Sequence, residues 1–175
     1  MSSSPTGLLA TAAAILERLR QERPLIHHIT NLVVTNTTAN ATLAIGASPV
    51  MAHAPEEVAE MARAARALVL NIGTLSREQV EAMLLAGEAA AEAGVPIILD
   101  PVGAGATAYR TETVQRLLDR LPVTVLRGNG AEVAILAGGE ATVRGVDGVQ
   151  AGDVATLVRT LAQERQLVAA ATGAT

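Results

Sequence analysis

Short, unbroken apolar runs alternate along this chain with segments of helical periodicity, and that alternation leaves few folds open. Leu25 to Ile29, Ser48 to Met51, Ala67 to Ile72, Val95 to Asp100, Val123 to Arg127 and Leu167 to Ala171 are runs of strand length. Their apolar residues are continuous rather than alternating, as in strands buried on both faces, so a mostly parallel sheet between helical layers is expected. The intervening helices are equally legible. Leu8, Leu9, Ala12, Ile15, Leu16 and Leu19 recur at helical spacing, predicting a helix from about Thr6 to Glu22 that Pro24 stops. Others are expected over Asn31 to Ala44, from Pro55 with Glu56 and Glu57 in its first turn, and from the capping-box pattern Ser76-Arg77-Glu78-Gln79 to just before Gly94. Thr111 to Leu121, Asn129 to Ala137 (closed by Gly138-Gly139) and a helix capped by Asp153 and running to about Gln166 complete the set. The expected fold class is α/β: one domain over residues 1–175, a three-layer α/β/α sandwich around a mostly parallel central sheet. Because the chain stops at Thr175, just after a strand that needs cover on both faces, a truncated chain is also expected.

Composition removes several function classes. Cysteine is absent, which excludes disulfides, cysteine-zinc sites, iron-sulfur clusters and thiol nucleophiles. The thirteen basic residues are all arginine, so neither a Schiff-base lysine nor a Gly-Lys-Ser/Thr phosphate loop is present. Net charge is −4, no basic run occurs, and Tyr109 is the one aromatic residue, which argues against a nucleic-acid groove. No apolar stretch reaches the roughly eighteen residues of a membrane span, and residues 1–7 lack the features of a secretory signal. A soluble, cytoplasmic protein without nucleic-acid or membrane partners is expected.

Ligands of open α/β sheets sit beyond the carboxyl ends of the strands, which makes the residues at those ends the candidates. Asp100-Pro101-Val102-Gly103-Ala104-Gly105-Ala106-Thr107 joins a strand-end carboxylate to a glycine-rich turn. The carboxylate can hold magnesium through water, and the glycines can let backbone amides approach an anion. Gly103, Gly105 and Ala108 also fit a loose dinucleotide pattern, but Pro101 and Tyr109-Arg110-Thr111 separate strand from helix where that fingerprint needs them joined. Arg127 can pair with phosphate oxygens, while Glu132 fits either a hydrated metal or the cap implied by Asn129-x-x-Glu132. Asn31 can bond a ligand ring nitrogen or hydroxyl, or cap the next helix; Met51 can contact a flat ring or fill core. The adjacent His27 and His28 point to opposite faces of a strand and cannot share one metal.

Four strings are distinctive together. They are His28-Ile29-Thr30-Asn31 with Asn36, Ala39-Asn40 and Gly46-Ala47-Ser48-Pro49-Val50-Met51; Leu70-Asn71-Ile72-Gly73-Thr74-Leu75; Leu99 to Thr107; and Arg127-Gly128-Asn129 with Glu132. In this order they resemble the hydroxyethylthiazole kinases of thiamine salvage, over nearly the whole chain from about Leu8 to Thr172. The resemblance implies a ribokinase-like fold, a homotrimer with thiazole sites near subunit boundaries, and magnesium-assisted transfer of the γ-phosphoryl of ATP to 4-methyl-5-(2-hydroxyethyl)thiazole. It further implies Met51 at the thiazole with Asn31 nearby, Arg127 and Thr172 at ATP, and Asp100 and Glu132 at the magnesium-phosphate region. The family's Gly-Thr-Gly-Cys segment, which forms the anion hole and offers the residue that activates the alcohol, does not occur in this sequence. The 175-residue chain alone is therefore expected to be inactive, and two alternatives stand beside the main reading: a non-catalytic thiazole-binding module, and a related kinase acting on another alcohol.

Overall fold

The structure, a computed structural model, describes residues 5–138 and 151–173. They form seven helices and six strands: α1 Pro5–Glu22, β1 Leu25–Ile29, α2 Thr35–Ile45, β2 Ser48–Val50, α3 Val58–Ala64, β3 Ala67–Asn71, α4 Arg77–Glu92, β4 Ile97–Asp100, α5 Ala108–Arg120, β5 Val125–Asn129, α6 Gly130–Leu136, α7 Ala151–Arg165 and β6 Val168–Thr172. All strand pairs are parallel, in the order β2-β1-β3-β4-β5-β6. The expected α/β sandwich with a parallel sheet is present.

Strand order decides where the helices lie. The chain steps from β1 outward to β2, then returns past β1 to β3 and continues in one direction to β6. Right-handed crossovers therefore place α3 to α7 on one face and α2 on the other. Contacts agree: Ile29, Leu68, Leu70, Ile97, Leu99 and Leu126 on the first face bury themselves against residues such as Val58, Met83, Leu117, Val133 and Leu161 of those helices. On the second face His28 meets Thr42 of α2, Nε2 to Oγ1 at 3.3 Å. The two faces are covered unequally. Val69, Ile98 and Val125 on the second face are half-buried and Val168 is 61% exposed, whereas their first-face neighbours on β3 to β5 are buried. Continuous apolar runs thus predicted full burial on both faces, and among the described residues only the first face has it.

Helix starts differ from the sequence expectation in instructive ways. α2 begins at Thr35 rather than Asn31, because the Asn31 side chain folds over the turn ahead of it, its Oδ1 accepting from the amides of Val33 and Val34 at 3.1 Å each. α3 begins at Val58, after a turn that holds Pro55, Glu56 and Glu57. α4 starts where Ser76 predicts, with Gln79 N donating to Ser76 Oγ at 3.1 Å. The reciprocal half of that box is missing: Gln79 Nε2 instead donates to the Thr30 carbonyl at 2.9 Å, tying α4 to the end of β1. α5 opens at Ala108, not Thr111, capped by Thr107. The last helix corrects the expectation at its start: α7 is already helical at Ala151, so Asp153 lies within it and is not its cap, while Gly138 follows α6 at φ +79° and the expected Gly139 lies outside the described residues.

Candidate functional site

The direction of winding reverses between β1 and β3, and a crevice at the carboxyl ends of those strands is the position a parallel sheet offers to a ligand. A cavity of about 600 Å³ opens there. Its wall includes Thr30 and Leu32 beyond β1, Met51 beyond β2, Gly73 and Thr74 beyond β3, and Arg110 from α5. His28 is the buried residue in the wall. Its neighbour Thr42 donates its hydroxyl to the Thr38 carbonyl at 2.8 Å, so toward the imidazole that oxygen accepts, and His28 carries its proton on Nε2. Burial, then the neighbouring His27, holds the His28 pKa below 6.5. The wall therefore presents a neutral ring beside the Met51 thioether, an environment suited to an uncharged heterocycle.

Side chains at three strand ends are joined into one polar line. Asn31 Nδ2 donates to Asn71 Oδ1 at 2.9 Å, and Asn71 Nδ2 donates to Asp100 Oδ2 at 2.7 Å. Asn71 Oδ1 also accepts from Gly73 N at 2.9 Å. Asn31 thus leans over Gly73 so closely that an added Cβ would lie 2.8 Å from its Nδ2, which is why this wall needs glycine. The sequence left Asn31 open between cap and ligand; here its oxygen serves the turn and its nitrogen serves Asn71.

The acidic pair lies further along the same edge. Burial pushes the Asp100 carboxyl above its usual pKa, the Glu132 charge adds to this, and the Asn71 bond and Arg127 charge pull back. Glu132 is buried and closes a full capping box with Asn129: Glu132 N donates to Asn129 Oδ1 at 2.9 Å and Asn129 N to Glu132 Oε2 at 2.8 Å. Its other oxygen, Oε1, accepts from Gly103 N at 2.8 Å. Two carboxylates that repel across a partly dry gap, with Asp100 Oδ1 bonded to no described residue, suit a hydrated divalent cation, which takes one or two carboxylates and keeps several waters. The residues present fit magnesium.

The glycine-rich turn overturns one expectation. Its amides are spent within the protein: Gly103 on Glu132, Ala104 on the Pro101 carbonyl, Gly105 on Thr111 Oγ1, and Ala106 on the Gly103 carbonyl. They do not form an open anion cradle. Gly103 and Gly105 are needed for shape instead, with φ of +76° and +89°. Arg127, exposed, sits within β5 opposite Ala170, and Thr172 ends β6 with its hydroxyl donating to the Gly128 carbonyl at 3.2 Å.

Sequence reasoning passed over Arg110 and Gln79. Arg110 Nη1 donates to the carbonyls of Ile72 at 2.9 Å and Val102 at 2.7 Å, and Nη2 to that of Gly73 at 2.8 Å. The loops after β3 and β4 are thereby clamped together. A signal existed: an arginine in the first turn of a helix opposes the helix dipole, and such local conflicts mark functional or strained positions.

A parallel α/β sheet with a cavity at its topological switch point, bordered by two carboxylates and an arginine, places the protein among open α/β folds that take a small ligand at their strand ends. The profile of the hydroxyethylthiazole kinase family matches residues 16–175, and the chain belongs to that family. It is 57% identical over 160 residues to a hydroxyethylthiazole kinase of Moorella thermoacetica, covering 91% of this chain and 60% of the relative. It is 59% identical over 164 residues to one of Methanocella arvoryzae, covering 93% and 62%. A solved hydroxyethylthiazole kinase of Pyrococcus horikoshii superimposes with a TM-score of 0.81 at 49% identity, over 91% of this chain and 59% of that one. The chain thus spans about 60% of the length of the curated relatives it matches.

Proposed function

We propose that the site serves phosphorylation of the primary hydroxyl of 4-methyl-5-(2-hydroxyethyl)thiazole by ATP, in thiamine salvage. The alcohol oxygen would bond to the γ-phosphorus as the bond to the β,γ-bridging oxygen breaks, giving ADP, the phosphate ester and a proton. Met51 and the neutral His28 ring supply the apolar wall for the thiazole, with Asn31 fixing the neighbouring turn. Arg127 and Thr172 would contact ATP, and Asp100 with Glu132 would hold magnesium. That ion, when bound, supplies positive charge against the crowded phosphates. The observation that carries this reading is the cavity at the β1–β3 switch, bonded through Asn31 and Asn71 to the acidic side at Asp100.

Leu32 of the cavity wall and its neighbour Val33 are 76% and 83% exposed and would be covered at the subunit boundary of the homotrimer that this reading implies. Calorimetric titration of this chain with the thiazole alcohol tests the site. Binding that weakens about ten-fold in Met51→Ala, from lost apolar contact, supports the reading. No binding overturns it. Binding that is indifferent to ATP and magnesium favours a thiazole-binding module without phosphoryl transfer.

A further inference from the structure

Four arginines outside the cavity pair with carboxylates at exposed positions: Arg18 with Glu22, Arg63 with Glu92, Arg120 with Glu88 and Arg165 with Asp119. Arg110 is different. It is half-buried in the cavity wall, and among the described residues it forms no ion pair. Its three hydrogen bonds go to the neutral carbonyls of Ile72, Val102 and Gly73, which fix the guanidinium without cancelling its charge. Glu78, the other charged residue in the wall, is exposed on the rim and solvated. The rest of the wall is uncharged at neutral pH, with Leu32, Met51 and Leu75 as its apolar part and hydroxyl, amide and imidazole groups beside them. A cation held rigidly by neutral carbonyls, with no ion-pair partner among the described residues and facing an open cavity, favours a ligand that carries an anion.

Resting on the reading above, we propose that Arg110 is the residue by which this cavity distinguishes the phosphorylated thiazole alcohol from the free alcohol. Its carbonyl clamp sets the Gly73–Leu75 wall against which either ligand rests, and its charge is offered to the phosphoryl group of the ester alone. Arg110 Nη1 also lies 3.2 Å from where a Cβ on Gly103 would be, so the guanidinium stands against the turn that Glu132 holds on the acidic side.

The test is calorimetric titration of wild-type chain, Arg110→Gln and Arg110→Lys with three probes: the thiazole alcohol, its phosphate ester and inorganic phosphate, each at low and high salt. Wild type should bind the ester more tightly than the alcohol, with salt weakening only the ester. Arg110→Gln should lose ten-fold or more for the ester and less than three-fold for the alcohol. Arg110→Lys keeps the charge but not the clamp, so it should retain the salt-sensitive ester preference while both affinities fall; it decides the matter if Arg110→Gln does not fold. Equal losses for alcohol and ester in Arg110→Gln, or in Arg110→Lys a vanished ester preference, would reduce Arg110 to a clamp and overturn the proposal. If wild type binds neither thiazole ligand, the thiazole reading fails while inorganic phosphate still decides this one. Phosphate binding lost in Arg110→Gln upholds it, and phosphate binding absent or unchanged overturns it.

Discussion

The rim of strand ends has two halves built on different terms. From β1 to β4, side chains are wired to one another: Asn31 to Asn71, Asn71 to Asp100 and to the Gly73 amide, and Arg110 across two loops. At β5 and β6, Arg127 stands exposed in mid-strand and Thr172 makes one bond, to the Gly128 carbonyl. The contrast follows the covering of the sheet. Its second face is closed over β1 by α2 and lies half-exposed from β3 onward among the described residues. Pre-formed geometry on one half suits a small neutral ligand that brings little binding energy of its own, since rigid walls lower the ordering cost of binding. The other half fixes Glu132 through Asn129 and Gly103 but leaves the Arg127 charge exposed and unbonded among the described residues.

The wired half should break hardest. Asn71→Leu removes three bonds at once and strands Asn31 Nδ2, the Gly73 amide and Asp100 Oδ2. Leaving such groups unpaired in a site where Asn71 is only 8% exposed should cost roughly 2–4 kcal/mol in urea denaturation. A loss below about 1 kcal/mol would mean the line of bonds is not a structural unit.

A smaller, pH-dependent effect belongs to the same half. His27 is fully buried, its Nε2 donates to the Ala52 carbonyl at 2.7 Å, and its Nδ1, like that of His28, meets no partner. Burial holds both pKa values below 6.5. The unfolded chain then binds more protons than the folded one, so stability is full above pH 6.5 and falls as pH drops through 6.5 toward the folded values. Melting temperatures between pH 8 and pH 5 should show that fall, and His28→Gln should flatten it. A wild-type curve level to pH 5 would show that neither ring is held neutral by the core.

The strands were legible because parallel strands read as short continuous apolar runs, and turn signals on either side of each run set its length. The strand-end rule likewise led to Asn31, Met51, Asp100 and Glu132 before any geometry. Helix starts were not legible where a side chain had two uses. Asn31 spends its oxygen on the amides of the turn before α2 and its nitrogen on Asn71, and Gln79 gives its amide to the Thr30 carbonyl rather than to a capping box. The turn at Gly103 to Ala106 reads as an anion cradle in sequence because glycine spacing does not reveal that its amides already have acceptors. Arg110 was hidden for the same reason: the carbonyls it clamps lie up to thirty-eight residues away.

The smallest expected effect on stability sharpens the comparison most. Arg127→Ala removes an exposed side chain that the described residues hold by no hydrogen bond or ion pair, so melting should shift by less than about 0.5 kcal/mol equivalent. Affinity of the chain for ATP should nonetheless fall ten-fold or more, since a hydrogen bond between two charged groups contributes about 1.5–3 kcal/mol. Calorimetry of ATP binding, run beside thermal melts, separates the two. If stability falls by more than about 1 kcal/mol, Arg127 is part of the wired half after all. If neither quantity moves, the uncovered strands β5 and β6 do not carry the nucleotide, and ATP must be sought on the cavity side of Asp100.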